Sequence, residues 1–355
     1  MPMQGGIRMP QTERVSGQTT MTETKPANPF RLPFKSLFVA RCVERLLGLK
    51  PLIRHYDQRP AQFRREGFHA TKEDSQVFLR YTQDTLRVGL DWENEPLLDN
   101  VPAAGPVVFI SNHPLGGLEG VAMTEKLLAK RPDTLVLTNQ LLTRIPELSP
   151  VFVGVDVLSE AGARNNTRGL RDIFQHLAKG GAVLIYPAGQ VSAINTDNWR
   201  IEDRQWNNLV GKLVLRYRAH CVPMFVHAKN SWLFYLMSLI HPRLRLAMLA
   251  RELSNKAGRR FTVSVGNIIV PDELDGLSDA GAVTHYLRMV TDLLGNARPG
   301  SVAAPEPIIK AADPAAVPVA VVETDKNKLQ ASLDALEDNV LLRAWLEYEG
   351  GDGQG

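Results

Sequence analysis

Cysteine is scarce. Cys42 and Cys221 are the only two in 355 residues, and they stand far apart without CxxC spacing. That argues against a disulfide framework or a cysteine zinc site, and it fits a reducing compartment. A strong charge bias is also missing. Lys and Arg total 41 against 38 Asp and Glu, so nothing in the charge demands a nucleic-acid partner. No uninterrupted apolar run reaches the roughly 18 residues of a membrane span. The opening stretch "MPMQGGIRMPQTERVSGQTTMTETKPANP" is polar and lacks the apolar segment of a secretory signal. The expected location is cytoplasmic, with membrane contact from the surface only. Several chemical signatures are absent as well: no GxSxG elbow, no GxxxxGK phosphate loop, no GxGxxG and no HExxH. Ser192 in "AGQVS" has no elbow around it, so a serine hydrolase has little support. No resident metal or redox cofactor is expected.

What is present is enough apolar material, 44% of the chain, to bury a sizeable core. Residues 1–28 read as a disordered tail rich in Gln, Thr, Gly and Pro. Residues 29–74 form an N-terminal amphipathic helical region. Within it Phe34, Phe38, Cys42 and Leu46 recur at helical spacing beside Val39, Val43 and Leu47, until Gly48 and Pro51 end the helix. Its apolar face either docks on its own domain or lies on anionic lipid. From 75 to 296 strands alternate with helices. Strand candidates are "PVVFIS", "TLVLTN", "VFVGVDV", "AVLIYP", "VPMFVHA" and "RFTVSVGNIIV". Helix candidates lie near 119–131, 166–179, 204–219, 230–240 and 280–295. This alternation predicts an α/β fold, with a largely parallel or mixed sheet flanked by helices. Residues 297–323 read as a Pro/Ala-rich linker, and 324–355 as a C-terminal amphipathic helix and tail.

In such sheets the chemistry sits beyond the carboxyl ends of the strands. "FISNHPLGGLEG" leaves one strand there. Pro114 and the Gly116–Gly117 pair force a tight turn after Asn112 and His113, and glycine permits close approach to a ligand. Glu119 falls in the first turn of the next helix, where a carboxylate is favoured and can reach back to the imidazole. An acid on one ring nitrogen fixes the tautomer and leaves the other nitrogen as a base. With no protein nucleophile in view, such a base suits a substrate hydroxyl or water. The plainer reading is that His113 and Glu119 only brace a turn.

A second constellation is "NNTRGLRDIFQHLAKGGAVLIYPAGQVS". Asn165, Arg168 and Arg171 lie near a helix start, and Pro187-Ala188-Gly189 leaves a strand in a tight turn. Arginines near a helix start beside a glycine loop make a candidate anion cradle. The alternative is a solvated helix face beside an ordinary loop.

These blocks, followed by "VPMFVHAKNSWLF" and "HPRLRLAMLARELSNKAGRRFTVSVGNII", resemble the phospholipid/glycerol acyltransferase family. The likeness is to its haemolysin-like, lyso-ornithine-lipid acyltransferase-like bacterial branch, over roughly residues 75–275. The resemblance implies an acyltransferase domain at 75–296. It implies transfer of a fatty acyl group from acyl carrier protein or coenzyme A to the hydroxyl of a lysolipid. The protein would act as a peripheral enzyme on the inner face of the cell membrane, with no cofactor beyond the thioester co-substrate. His113 becomes the general base and Glu119 its partner. Asn112, Gly116, Gly117, Asn165, Arg168, Arg171, Pro187, Gly189 and Gln190 become substrate-binding candidates, with the Gly116–Gly117 turn a source of oxyanion donors. The family's first motif places Asp where Leu118 stands here, and the acid comes one residue later. Its third motif often reads Phe-Pro-Glu-Gly, whereas this chain has Tyr186-Pro187-Ala188-Gly189. The missing acid leaves open a catalytically degenerate lipid-binding protein, and a lipid hydrolase is a third reading.

Overall fold

The computed structural model describes residues 28–32, 35–65, 68–139, 142–155, 162–240, 242–277 and 279–296, without the side chains of 162–168, 242–244 and 246–247. The expected tail before residue 28, the linker at 297–323 and the helix after it lie outside the described residues. Asn28, assigned from sequence to the tail, is buried, and its amide donates to Ile53 O (2.9 Å) and to Asp57 (3.0 Å).

Nine strands are described: β1 (Gly89–Glu93), β2 (Val107–Ser111), β3 (Leu135–Asn139), β4 (Phe152–Val155), β5 (Ala182–Ile185), β6 (Ala193–Ile194), β7 (Ile201–Glu202), β8 (His220–His227) and β9 (Arg260–Val265). Seven form one sheet in the order β1-β9-β8-β2-β5-β3-β4, while β6 and β7 make a separate small hairpin. Every pairing in the large sheet is parallel except β8 with β9. The central strand "VVFIS" is buried at every position, the continuous apolar run expected of a parallel strand covered on both faces. Alternation along it divides the core. Val107 and Phe109 face one apolar cluster, and Val108 and Ile110 face the other.

The helices supply the outer layers: α1 (Leu37–Leu46), α2 (Lys50–Asp57), α3 (Lys72–Leu86), α4 (Gly117–Lys130), α5 (Gly162–Ala178), α6 (Leu209–Tyr217), α7 (Trp232–Ile240), α8 (Pro242–Asn255) and α9 (Ala280–Asn296). α3 and α4 bury Phe78, Leu79, Met123 and Leu127 on the first face. α5, α6 and α9 bury Ile173, Phe174, Leu213 and Leu287 on the second. The result is a three-layer α/β/α sandwich, as the alternating pattern predicts.

The N-terminal region departs from expectation in two ways. Gly48, with φ +66°, does end α1, but Pro51 does not close the segment. It sits in the first turn of α2, where its missing N–H has no carbonyl to bond in any case. Most of the apolar face of α1 is also left uncovered, although Leu47 at its end lines a cavity. Leu37, Phe38 and Leu46 are 73%, 77% and 80% exposed, and Cys42 is exposed too. The helix is attached by its other side, through buried Ala40 and Glu44, and Glu44 accepts from Leu32 N at 3.1 Å. α2 is anchored firmly. Arg59, just past it, pairs with buried Glu147 at 2.6 Å, and the Tyr56 hydroxyl donates to the same carboxylate at 3.2 Å. Breaking one side of such a buried pair typically costs about 3–5 kcal/mol.

α7 has one side in the core and one side exposed. Phe234 and Tyr235 pack on Val191 and Met248, while Trp232 and Ile240 stand 70% and 62% exposed. Among the described residues no helix is long and apolar enough to cross a membrane.

Candidate active site

The parallel strands β2, β3, β5 and β8 deliver their carboxyl ends to one edge of the sheet, and the site is built there. The chain leaves β2 through Asn112, whose amide is spent on β8: Nδ2 donates to Val226 O (3.1 Å) and Oδ1 accepts from Val226 N (2.7 Å). Asn112 therefore clamps two strands together. This corrects the expectation that it touches substrate.

His113 follows, held by its backbone. Its carbonyl accepts from Ser192 N (2.8 Å), and its N–H donates to Asp203 Oδ1 (3.2 Å). Its imidazole lies over the Tyr186 ring, with centroids 4.3 Å apart and planes tilted 32°. Glu119, wholly buried in the first turn of α4, brings Oε1 to 3.0 Å from His113 Nδ1. The ring N–H is not aligned along that line, so the pair is a close contact short of a formed hydrogen bond. Catalytic contacts of this kind commonly tighten only when substrate is bound. The same Oε1 accepts the backbone N–H groups of Leu115 and Gly116, each at 2.9 Å. Glu119 thus holds turn and imidazole together, which the six-residue spacing anticipated. One corollary is a correction. The Gly116 N–H belongs to Glu119 and is not free for an oxyanion. Gly117 opens α4, where the first amides have no carbonyl one turn back. It is the member of the pair left to donate.

Gly116 has φ +90°, a backbone only glycine adopts readily, and a Cβ there would sit 3.0 Å from a Leu249 methyl. Glycine at this corner is thus demanded twice.

Asp203 was not anticipated. It is buried, accepts from Ser192 Oγ (2.5 Å) and Trp206 Nε1 (3.2 Å) as well as from His113 N, and burial pushes its carboxyl above the usual range against those hydrogen bonds. Ser192 is therefore committed to Asp203 and is not placed as a nucleophile. Asn230 was also missed; it donates to Pro114 O at 2.9 Å. Tyr186 is buried, and burial together with the Glu119 charge drives its phenol well above the usual range. It serves as a neutral wall.

Beside His113 opens a cavity of about 500 Å³. Apolar residues dominate its lining: Phe30, Leu47 and Leu49 from the N-terminal region, Val136 and Phe152 from the sheet, and Leu249 from α8. Among the described residues Arg144 is the one permanently charged side chain on its wall. Of the predicted binding residues, Gly116, Gly117, Pro187 and Gly189 line this cavity with His113. Gly189 is exposed, with φ +64°, and has open space where a Cβ would stand. Gln190 is turned to α8, where its Oε1 accepts from Arg245 at 2.5 Å. Asn165 and Arg168 lie in the first turns of α5, but their side chains are outside the described ones. Arg171 is exposed and is not part of the cavity wall. Among the described residues no group of His, Cys, Asp and Glu could hold a metal ion.

A histidine beside a buried acid thus stands at the carboxyl edge of an α/β sheet and faces an apolar cavity. The chain belongs to the acyltransferase family, whose model, described as "Acyltransferase", matches residues 78–298. Among curated proteins it is 29% identical over 184 residues to a lyso-glycine lipid O-acyltransferase of Phocaeicola vulgatus, covering 48% of this chain and 62% of the relative. It is 28% identical over 234 residues to the lyso-glycine lipid O-acyltransferase of Bacteroides thetaiotaomicron, covering 61% of this chain and 84% of that one. The first of these alignments thus spans less than two thirds of its relative. A solved structure, the 1-acyl-sn-glycerophosphate (LPA) acyltransferase PlsC from Thermotoga maritima, aligns at 14% identity with a TM-score of 0.41, over 73% of this chain and 92% of that one.

Proposed function

We propose that this protein transfers a fatty acyl group from an acyl thioester, on acyl carrier protein or coenzyme A, to the hydroxyl of a lysolipid at a membrane surface. The observation that carries the reading is the His113–Glu119 pair, 3.0 Å apart, opening onto an apolar cavity large enough for an acyl chain. Neutral His113 takes the hydroxyl proton at Nε2 while the oxygen attacks the thioester carbonyl carbon. Glu119 holds Nδ1 and stabilises the imidazolium that forms. The oxyanion lies toward the N-terminus of α4, where the Gly117 N–H and the helix dipole favour negative charge. The carbon–sulfur bond then breaks, and the imidazolium returns the proton to the departing thiolate. No cofactor enters these steps.

The relatives' names favour a lyso-glycine lipid as acceptor, and lyso-ornithine lipid and lysophosphatidic acid are the other two acceptors to be tried. The inner face of the cell membrane is the proposed location. The exposed apolar faces of α1 and α7 support contact with lipid, since a monomer rarely leaves such surface to water. The test presents the purified protein with labelled acyl thioesters on both carriers and each lysolipid in turn. Ester formation on one acceptor supports the reading, and no transfer from either donor to any of the three defeats it. Lipid binding without turnover is the second reading, favoured by Ala188 where the family often carries an acid. Release of free fatty acid without an acceptor would identify a hydrolase instead.

A further inference from the structure

Asp203 is a buried acid, 8% exposed, with no permanent cation at its carboxylate. Arg288 reaches the same residue but donates to its main-chain carbonyl, at 3.0 Å. Among the described residues no lysine or arginine side chain pairs with the acid itself. Three hydrogen bonds converge on it instead. Oδ1 accepts from His113 N at 3.2 Å and from Ser192 Oγ at 2.5 Å, and Oδ2 accepts from Trp206 Nε1 at 3.2 Å. Two of these groups can only donate, and the hydroxyl can donate as well, so the ionised acid satisfies all three.

The bonds close a ring around the backbone of His113. Ser192 N donates to the His113 carbonyl at 2.8 Å, the Ser192 hydroxyl reaches Asp203, and Asp203 takes the His113 N–H. Both polar groups of that backbone are thereby fixed, while Glu119 meets the ring at Nδ1. The segments that supply Ser192 and Trp206 also build the cavity, since their neighbours Val191 and Asn207 line it with His113. Asp203 therefore joins the imidazole to the wall it faces. A neutral acceptor could brace the turn as well. A charge kept from water without a permanent cation is costly, and here it meets a counter-ion when His113 takes up a proton.

We propose that Asp203 is a positioning residue for acyl transfer, acting through His113: it fixes the backbone that holds the imidazole at the cavity, and it sets a second negative charge, after that of Glu119, near the imidazolium that forms. This rests on the acyltransferase reading and deepens it. An interaction that strengthens only as the proton moves lowers the barrier without tightening substrate binding.

The test is a double-mutant cycle in steady-state acyl transfer. Asp203→Asn keeps an oxygen for His113 N and Ser192 Oγ but removes the charge. It is made together with Trp206→Phe, because the new amide would otherwise oppose the indole N–H, and Trp206→Phe alone is the reference. The charge loss is expected to lower kcat about tenfold with acceptor KM unchanged. In a His113→Ala background it should not lower the residual rate further, since residues that act as a unit are not additive. An equal fractional loss in both backgrounds, no loss in either, or a loss through KM overturns the proposal. If the Asp203 variant fails to fold by far-UV circular dichroism, Ser192→Ala decides. It removes one bond of the ring and is expected to lower kcat about threefold, again only where His113 is present; any other pattern overturns the proposal. A wild type that transfers no acyl group defeats the enzyme reading alone. The positioning of His113 is then read without turnover, from its rate of modification by diethyl pyrocarbonate followed by mass spectrometry. A rate about threefold faster without the Asp203 charge than in the reference supports the tether, and an equal or slower rate overturns it.

Discussion

Two turns leave the same edge of the sheet, and they are built on opposite plans. After β2, each residue from 112 to 116 is tied to something else: Asn112 to Val226, His113 to Ser192 and Asp203, Pro114 to Asn230, and Leu115 and Gly116 to Glu119. After β5, Gly189 N bonds only within its own turn, to Tyr186 O at 2.9 Å, and the residue faces open space. The first turn is immobilised from several sides and carries the imidazole. The second exposes Gly189 and is tied outside itself only at its flanks, where Pro187 O accepts from Asn207 N (3.0 Å) and Gln190 Oε1 from Arg245 (2.5 Å). In the proposed reaction the first turn would hold the base in fixed geometry, and the second would leave room for a headgroup.

The contrast can be broken first at the imidazole. His113→Ala is expected to lower kcat about 1,000-fold in steady-state acyl transfer, within the usual range for a lost general base, with little change in unfolding temperature. Next, Glu119→Gln keeps an oxygen for the two backbone N–H groups but removes the charge that steadies the imidazolium. A fall in kcat of roughly 100-fold at nearly constant acceptor KM is expected. An equal loss through KM would show that the acid shapes the pocket rather than the base. A third pair compares the turns directly by urea unfolding. Gly116→Ala, strained in φ and pressed on Leu249, should cost about 2–3 kcal/mol; Gly189→Ala, in open space, should cost about 1 kcal/mol. Similar values would mean the two turns are equally constrained after all. The smallest effect is expected for Tyr186→Phe. Its hydroxyl points to the Met123 sulfur at 3.7 Å, away from the imidazole, so activity should stay within about threefold of wild type.

Much of this design could be read in advance, and the reasons are physical. The buried strands announced themselves as short apolar runs, and β2, β3, β4, β5, β8 and β9 fall where those runs lie. β1, "GLDWE", sits at the sheet edge, is nowhere fully buried, and has no such run. α3 was missed although its Thr71–Asp74 capping box is a local signal. The His113–Glu119 contact was legible because both residues belong to one turn and the helix that follows it. Asp203, Asn230 and Arg245 were not, because 90, 116 and 55 residues separate them from His113, Pro114 and Gln190, the partners they meet. Only the sheet's crossovers bring them together. Asn112 was misassigned for the same reason, since its partner Val226 lies 114 residues away. The outward apolar face of α1 was one of two alternatives, and periodicity finds a face without saying what covers it.

Pro29, Phe30, Leu32, Leu47 and Leu49 close one side of the cavity. The leading segment is therefore part of the cavity wall. In the proposed reaction a thioester beside the base would hydrolyse if water reached it as readily as the alcohol does, and these five side chains would be a partition between the two fates. Removing residues up to 49 would leave the base and its acid in place yet shift the product from ester toward free fatty acid.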